Sequence, residues 1–389
     1  MGSFIVLLAG RYDTMGTNYP SLSYLCPSSK HGQIALLLVV IALTSGCLGF
    51  LGAETEASTA TTDVDPIDSV PENVDAVAQA DGDLLTDNAT AQLMDEMIEL
   101  GMNRSDEMAD HPGELGNESE AVESWDGLLA SLDEKSELDI SEFHRATAFA
   151  SVDHDEEYGA VIIESNWESD EIVESSDELA DAETTTYNDV TVYVSEADGE
   201  TTWTASFGNG TVAVGTETAV RDVIDTRHGE MDSFGGELRA AYEAAGDGLL
   251  KAAVASPMET LDEQTAESPG EDEGIEDELM GEMLPNPEVM VFVYDTDGDQ
   301  LQFETQLTME SAEEAADFAG ILELAGSIEL VGEPFDSILA DLDIEQDENI
   351  VSIGYESTAA EIRELIELAA AFDRAEGVDS PVSDAVAGA

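Results

Sequence analysis

Apolar residues along this chain follow two spacings, and the change from one to the other divides it. Leu93, Met94, Met97, Ile98 and Leu100 recur at helical spacing after Asp87, which predicts a helix within the segment 72–100. Residues 102–119 are polar and read as a loop, after which Trp125, Leu128, Leu129 and Leu132 mark a second helix. From Arg145 the period becomes two. Residues 146–152 and 158–164 read as paired strands around Asp153-His154-Asp155-Glu156, followed by a helix over 169–179 whose first residues are acidic. Strands are expected at 190–194, 201–206 and 211–214, the last two joined by Gly208-Asn209-Gly210, a tight-hairpin signal. Helices over 216–226 and 237–245 follow, then a returning strand at 249–254.

Residues 256–287 carry Pro257, Pro269, Pro285 and Pro287 among carboxylates and glycines, and so form the best internal boundary. Beyond it the pattern resumes with strands at 289–294 and 300–307, a helix over 311–324, a strand at 350–355 and an amphipathic helix over 359–372. The predicted fold is α+β, with two units of antiparallel sheet, each carrying helices on one face. The hairpin-then-helix order recurs in both units, as a diverged duplication would leave it. The expected division is a first domain at 71–255, a linker at 256–287, a second domain at 288–375 and a tail at 376–389.

The first 70 residues have a different character. Ile34 to Leu43 is an unbroken apolar run preceded by Lys30 and His31. It is shorter than the roughly 20 apolar residues that span a bilayer, and it fits the hydrophobic region of a signal peptide. Thr44-Ser45-Gly46-Cys47 closes it and resembles the lipobox of prokaryotic lipoproteins, in which the cysteine is lipidated and becomes the mature N-terminus. The match departs from the usual pattern at Leu43, one position early, and at Thr44. No twin arginine precedes the run. Residues 1–46 are therefore read as a signal peptide with an extended preface, for which Met15 is an alternative start. Residues 47–70, rich in Thr, Ala, Glu and Asp, read as a flexible tether. Cys26 and Cys47 are the only cysteines, so cleavage before Cys47 would leave no thiol for catalysis, disulfides or metal ligation.

Charge then narrows the setting. Asp and Glu number 89 against 11 Lys and Arg, a formal net charge of −78. Self-repulsion on that scale opposes a compact state at low ionic strength. The hydrophobic fraction of 42% is nevertheless enough for a core, and the carboxylates are spread through strand-like and helix-like segments. The composition is that of a protein working in concentrated brine. It also excludes partners, since no cluster of Lys or Arg exists to displace counterions from nucleic acid or to grip anionic headgroups. The expected membrane contact is the lipid on Cys47, with an envelope protein or a small ligand as further partners.

The lipobox-like junction, the acidic tether and the phrase Gly210-Thr211-Val212-Ala213-Val214-Gly215 running into 216–225 together resemble a class of uncharacterised lipoproteins common in haloarchaea. That resemblance implies an outward-facing, lipid-anchored address and no particular activity. The sequence contains no HExxH, GxSxG, SxxK, P-loop or GxGxxG pattern, and no cofactor is expected. Paired carboxylates are too numerous to single out an acid–base pair. Asp295-Thr296-Asp297-Gly298-Asp299 places Asp295, Asp297 and Asp299 as cation candidates, but its glycine falls fourth and strands flank it, so a hairpin turn is preferred. His111, His144, His154 and His228 show no ligand spacing. Asn88, Asn103, Asn117 and Asn209 head N-x-Ser/Thr sequons and are candidate glycan acceptors in an exported chain. The function expected is a non-enzymatic binding or scaffold module. The alternatives are a ligand- or cation-binding lipoprotein serving a transporter or sensor, with a cleft framed by 256–287, and a hydrolase with a buried carboxylate pair.

The screening argument predicts unfolding in dilute buffer. Folded signal should return as salt approaches about 1 M, where the Debye length is roughly 3 Å. Far-UV circular dichroism across a salt titration checks this, and a chain equally folded without salt would remove the brine reading.

Overall fold

The computed structural model describes residues 65–108, 124–136, 138–151, 158–168, 171–172, 182–197, 200–256, 286–327 and 341–366. Tight hairpins set the sheet. At the tip between β6 (Glu200–Gly208) and β7 (Thr211–Gly215), Gly208, Asn209 and Gly210 all take positive φ. Gly210 could not be replaced without movement, because a Cβ there would lie 2.0 Å from the Ser165 carbonyl oxygen. Asn188 and Asp189, with φ of 46° and 63°, join β4 (Glu183–Tyr187) to β5 (Val190–Ala197) through a two-residue turn of the kind that matches strand twist. Gly298 and Asp299 do the same between β9 (Val289–Asp297) and β10 (Gln300–Thr308).

With β1 (Ala76–Asp81), β2 (Phe143–Ser151), β3 (Tyr158–Ser165), β8 (Leu250–Ala255), β11 (Asp343–Asp347) and β12 (Ile350–Ser357), these strands form one 12-stranded sheet. Its order is β11-β12-β10-β9-β8-β1-β2-β3-β7-β6-β5-β4, and every neighbouring pair is antiparallel. The α+β class with antiparallel pairing is as expected, but the division into two units is not. Strand β8 of the first expected unit pairs directly with β9 of the second, from Leu250↔Tyr294 to Ala255↔Val289. Separate sheets would leave two unpaired edges there, and one continuous ladder removes both. The proline-rich boundary thus connects adjacent antiparallel strands; its residues 257–285 lie outside the described part.

The helices divide between the two faces of the sheet, where one helix-bearing face had been expected. On one face, Val77, Phe149, Ile162, Val192, Ala205 and Ala213 pack against α4 (Glu217–His228) and α5 (Gly236–Ala244). Helix α4 contributes Val220, Val223 and Ile224, all fully buried, and stops at Gly229 in the left-handed conformation. The other face holds α1 (Asp83–Thr86), α2 (Asn88–Met108) and α3 (Trp125–Ser136), with Leu84, Leu85, Ala89 and Trp125 inward. Helix α6 (Ala312–Ser327) packs Ala315, Phe318 and Ala319 against Val351 and Leu307 in a smaller third cluster. A helical turn begins at 359 after Thr358, whose hydroxyl accepts from Glu361 N–H while the Glu361 carboxylate accepts from Thr358 N–H. This reciprocal cap fixes its start.

Three other expectations change. Residues 76–81, in the segment 72–100 but ahead of its helical spacing, form β1, the strand between β2 and β8, where no strand was expected. Residues 66–70, assigned to the tether, belong to the fold: Val70 is fully buried and its carbonyl accepts from Phe234 N–H. Helix α2 continues to Met108 through residues read as loop. Of the helix expected at 169–179, only 171–172 are described.

Alanines line the middle of the sheet. Ala78 pairs with Ala148 on one side and Ala252 on the other, and all three face the α1–α3 layer. Small side chains there let Trp125 and Leu85 approach the strands. Ala78→Leu is therefore expected to destabilise the fold by roughly 1–3 kcal/mol through overpacking, read by denaturant unfolding at fixed high salt.

Candidate functional site

The turn linking β1 to α1, the N-terminal end of β2 and one side of α3 enclose a hollow of about 430 Å³. Leu85, Leu129, Ile140 and Phe143 make its apolar wall, and Asp81, Asp83, Asp133, Asp139 and His144 make its polar rim. Local turn chemistry places most of these acids. Asp81 accepts from Asp83 N–H at 3.0 Å, and its other oxygen lies 3.8 Å from Arg145. Asp139 accepts from the N–H and hydroxyl of Ser141, and Asp133 accepts from Ile140 N–H. Their oxygens therefore hold turns together, as Asx-type side chains do at loop starts. What remains is an acidic rim over an apolar wall, a surface that favours positive charge.

Next to it lies a polar network that joins α2 to β9. Asp87 caps α2, accepting from Thr90 N–H at 2.7 Å and from the Thr90 hydroxyl at 2.9 Å. Its second oxygen accepts from the Thr296 hydroxyl at 3.0 Å, and the Thr90 hydroxyl meets that of Tyr294 at 2.8 Å. Burial pushes the Asp87 carboxyl up, but the bonds from Thr90 and Thr296 outweigh it and hold the group below its ordinary range. Burial, with the Asp87 and Asp295 charges adding to it and the Thr90 bond opposing, pushes the Tyr294 phenol up to about 12. A general acid would need a carboxyl shifted the other way. Asp87 is built as a structural anion.

The site residues expected from sequence are scattered. Cys47 and Asn117 lie outside the described residues. Asn88 is exposed at the start of α2, but the third residue of its sequon is the buried Thr90. Asn103 lies within α2, and Asn209 is exposed at its hairpin tip. Asp295, Asp297 and Asp299 fall on the β9–β10 hairpin, the first two on β9 and the last in its turn. Among the described residues no group of three or more His, Cys, Asp or Glu could hold a metal ion. His144 sits on the rim of the hollow and His228 ends α4 on the opposite layer; His111 and His154 lie outside the described part. The strands that flank the 256–287 boundary, β8 and β9, are hydrogen-bonded to each other along their length, and the cleft expected there falls on residues outside the described part. Sequence reading did not single out the hollow, because its acids look like any others in so acidic a chain.

In class, the chain is an α+β protein built on a single antiparallel sheet. No family model matches it, and no curated protein matches it. Three crystal forms of a protein named TP0453 are similar in structure. Form I is 10% identical with a TM-score of 0.42, covering 79% of this chain and 98% of its own. Form III is 11% identical at 0.44, covering 79% and 100%, and form IV is 11% identical at 0.40, covering 78% and 97%.

The Asp87 carboxyl binds its proton less readily in the folded chain than in the unfolded one, so it adds stability above its unfolded value near 3.9, lost as pH falls through its lower folded value. Asp87→Ala should cost about 0.5–2 kcal/mol at neutral pH through loss of the helix cap. The same variant should also show a shallower loss of stability between neutral and acid pH, measured by denaturant unfolding at each pH.

Proposed function

We propose that this chain is an exported, lipid-anchored surface protein of a halophile, and that its folded part is a non-enzymatic binding or scaffold module. The observation that carries the reading is Cys47, which follows three small residues at the end of an apolar run too brief to cross a bilayer. Chain length supports it. Asp65, the first described residue, lies 18 positions after Cys47, which limits the separation of anchor and fold to roughly 60 Å at full extension. Among the described residues no helix is long and apolar enough to cross a membrane. The attachment proposed is acylation at Cys47. The excess of carboxylates keeps such a surface hydrated and dispersed in brine.

A second reading, a ligand- or cation-binding lipoprotein, draws on the acidic hollow beside α3 in place of a cleft between two units.

Cys47→Ser is expected to abolish acylation, leaving the protein either released from membranes or unprocessed. Intact-mass analysis and membrane fractionation at high salt read this directly. Native protein that retains residues 1–46 and carries no acyl group would defeat the anchoring proposal.

A further inference from the structure

The N-terminal end of α4 gathers hydrogen-bond donors that no protein atom accepts. Thr216 occupies the N-cap position, yet its side chain makes no capping bond and its Oγ1 is buried without a partner. Gly215, the residue before it, pairs across the sheet with Trp203. Trp203 is only 7% exposed, and its indole Nε1–H is also buried and unpartnered. One turn into the helix, Arg221 lays its guanidinium carbon 4.8 Å from the Trp203 ring centre and 5.1 Å from that of Tyr187. Its Nε–H is buried with no acceptor.

These groups meet for reasons visible in the chain. Trp203 projects from β6 onto the face that α4 covers. Gly215, its strand partner, directly precedes the N-cap Thr216, so Trp203 lies beside the start of the helix. The stacking of Arg221 on that ring places its guanidinium beside the indole. An indole Nε1–H and a guanidinium Nε–H can only donate, and a threonine hydroxyl can turn to donate. The first N–H groups of α4 and the positive end of its dipole add to them. Buried donors in native proteins find acceptors, and donors converging on a helix N-terminus form a site for an anion.

The neighbouring charges limit what kind. Glu217 Oε1 takes the Nη2 edge of Arg221 at 2.6 Å, Asp222 bonds Tyr158, and Asp225 bonds Tyr187. A multiply charged oxyanion would be repelled by those carboxylates, whereas a small monovalent ion would meet one cation and several N–H and O–H groups. We propose that Trp203 Nε1, Arg221 Nε and Thr216 Oγ1 bind a single halide ion, chloride in ordinary saline. The site would stabilise the β6–β7–α4 unit in proportion to halide activity, separately from general charge screening and from any lipid anchor.

Chloride NMR on the full-length purified protein tests this. The expected result is chloride line broadening that bromide competes away. The broadening should vanish in Trp203→Phe, which keeps the ring packing and loses the donor, and weaken in Thr216→Val, which removes the hydroxyl with little change of volume. Line widths equal to those of buffer would overturn the site and leave water as the acceptor. Broadening that survives both substitutions in folded protein would overturn it as well, placing the halide elsewhere.

Discussion

Mutual repulsion among carboxylates is the constraint to which the rest of this structure answers. With 89 acids against 11 bases, a cation spent on a solitary surface position is one fewer to hold the fold together. The described cations are accordingly used as braces. Arg145 stands between Asp65 and Asp81. Arg239 holds Asp68 and Glu243 while lying over Phe234, and Arg227 lies over Phe207 and donates to Ser69. Arg363, beyond β12, reaches Glu96 and Glu99 on α2. Lys251, buried beneath α5, donates to the Ala245 carbonyl and sits 4.4 Å from the Tyr242 ring centre. Most of these contacts join parts of the chain that are far apart in sequence, and Arg227, Arg239 and Lys251 each lie over an aromatic face. A ring's quadrupole attracts a cation without contributing another carboxylate to the repulsion.

The sheet meets the same constraint in its interior. Charged groups are excluded from the strands nearest its middle, apart from Lys251 and the ends of β1 and β2. Alanines take their place, so the two helical layers approach closely. Several polar groups that enter the core are tied down in pairs: Gln79 donates to Thr147 and accepts from Tyr242, and Thr90 meets both Asp87 and Tyr294. Such pairing is what a low-dielectric interior requires of any polar atom it admits. Five buried side-chain atoms among the described residues depart from it: Ser195 Oγ and Thr204 Oγ1, and the three donors around Trp203.

Much of the fold was legible because period and punctuation agreed. Gly208-Asn209-Gly210 and Asp297-Gly298-Asp299-Gln300 marked their hairpins, and Val220, Val223 and Ile224 marked the inner face of α4. The failures have identifiable causes. Strand β1, Ala-Val-Ala-Gln-Ala-Asp, has small residues on one face and a mixed set on the other, so its alternation is weak and no strand was read there. Strands β4 and β11, Glu-Thr-Thr-Thr-Tyr and Asp-Ile-Glu-Gln-Asp, form the sheet's two edges, where exposure on both faces erases the pattern. The two-unit reading treated a proline-rich stretch as a break between domains, although composition alone does not show which strands pair across it. The hollow and the donor cluster were invisible for a different reason. Each depends on residues brought together by strand register, such as Gly215 opposite Trp203, and no spacing along the chain records that.

The position of β1 has a consequence for assembly. It is the first of the described strands, yet its two neighbours are β2 and β8, and β8 begins only at Leu250. A polypeptide that appears N-terminus first must carry one side of that strand bare until residues well past its midpoint have arrived. Pairings so distant in sequence make folding slow. They also tie completion of the sheet to the later chain: a polypeptide ending before Leu250 would present the raw flank of β1 to its surroundings, open to capture by any other extended segment.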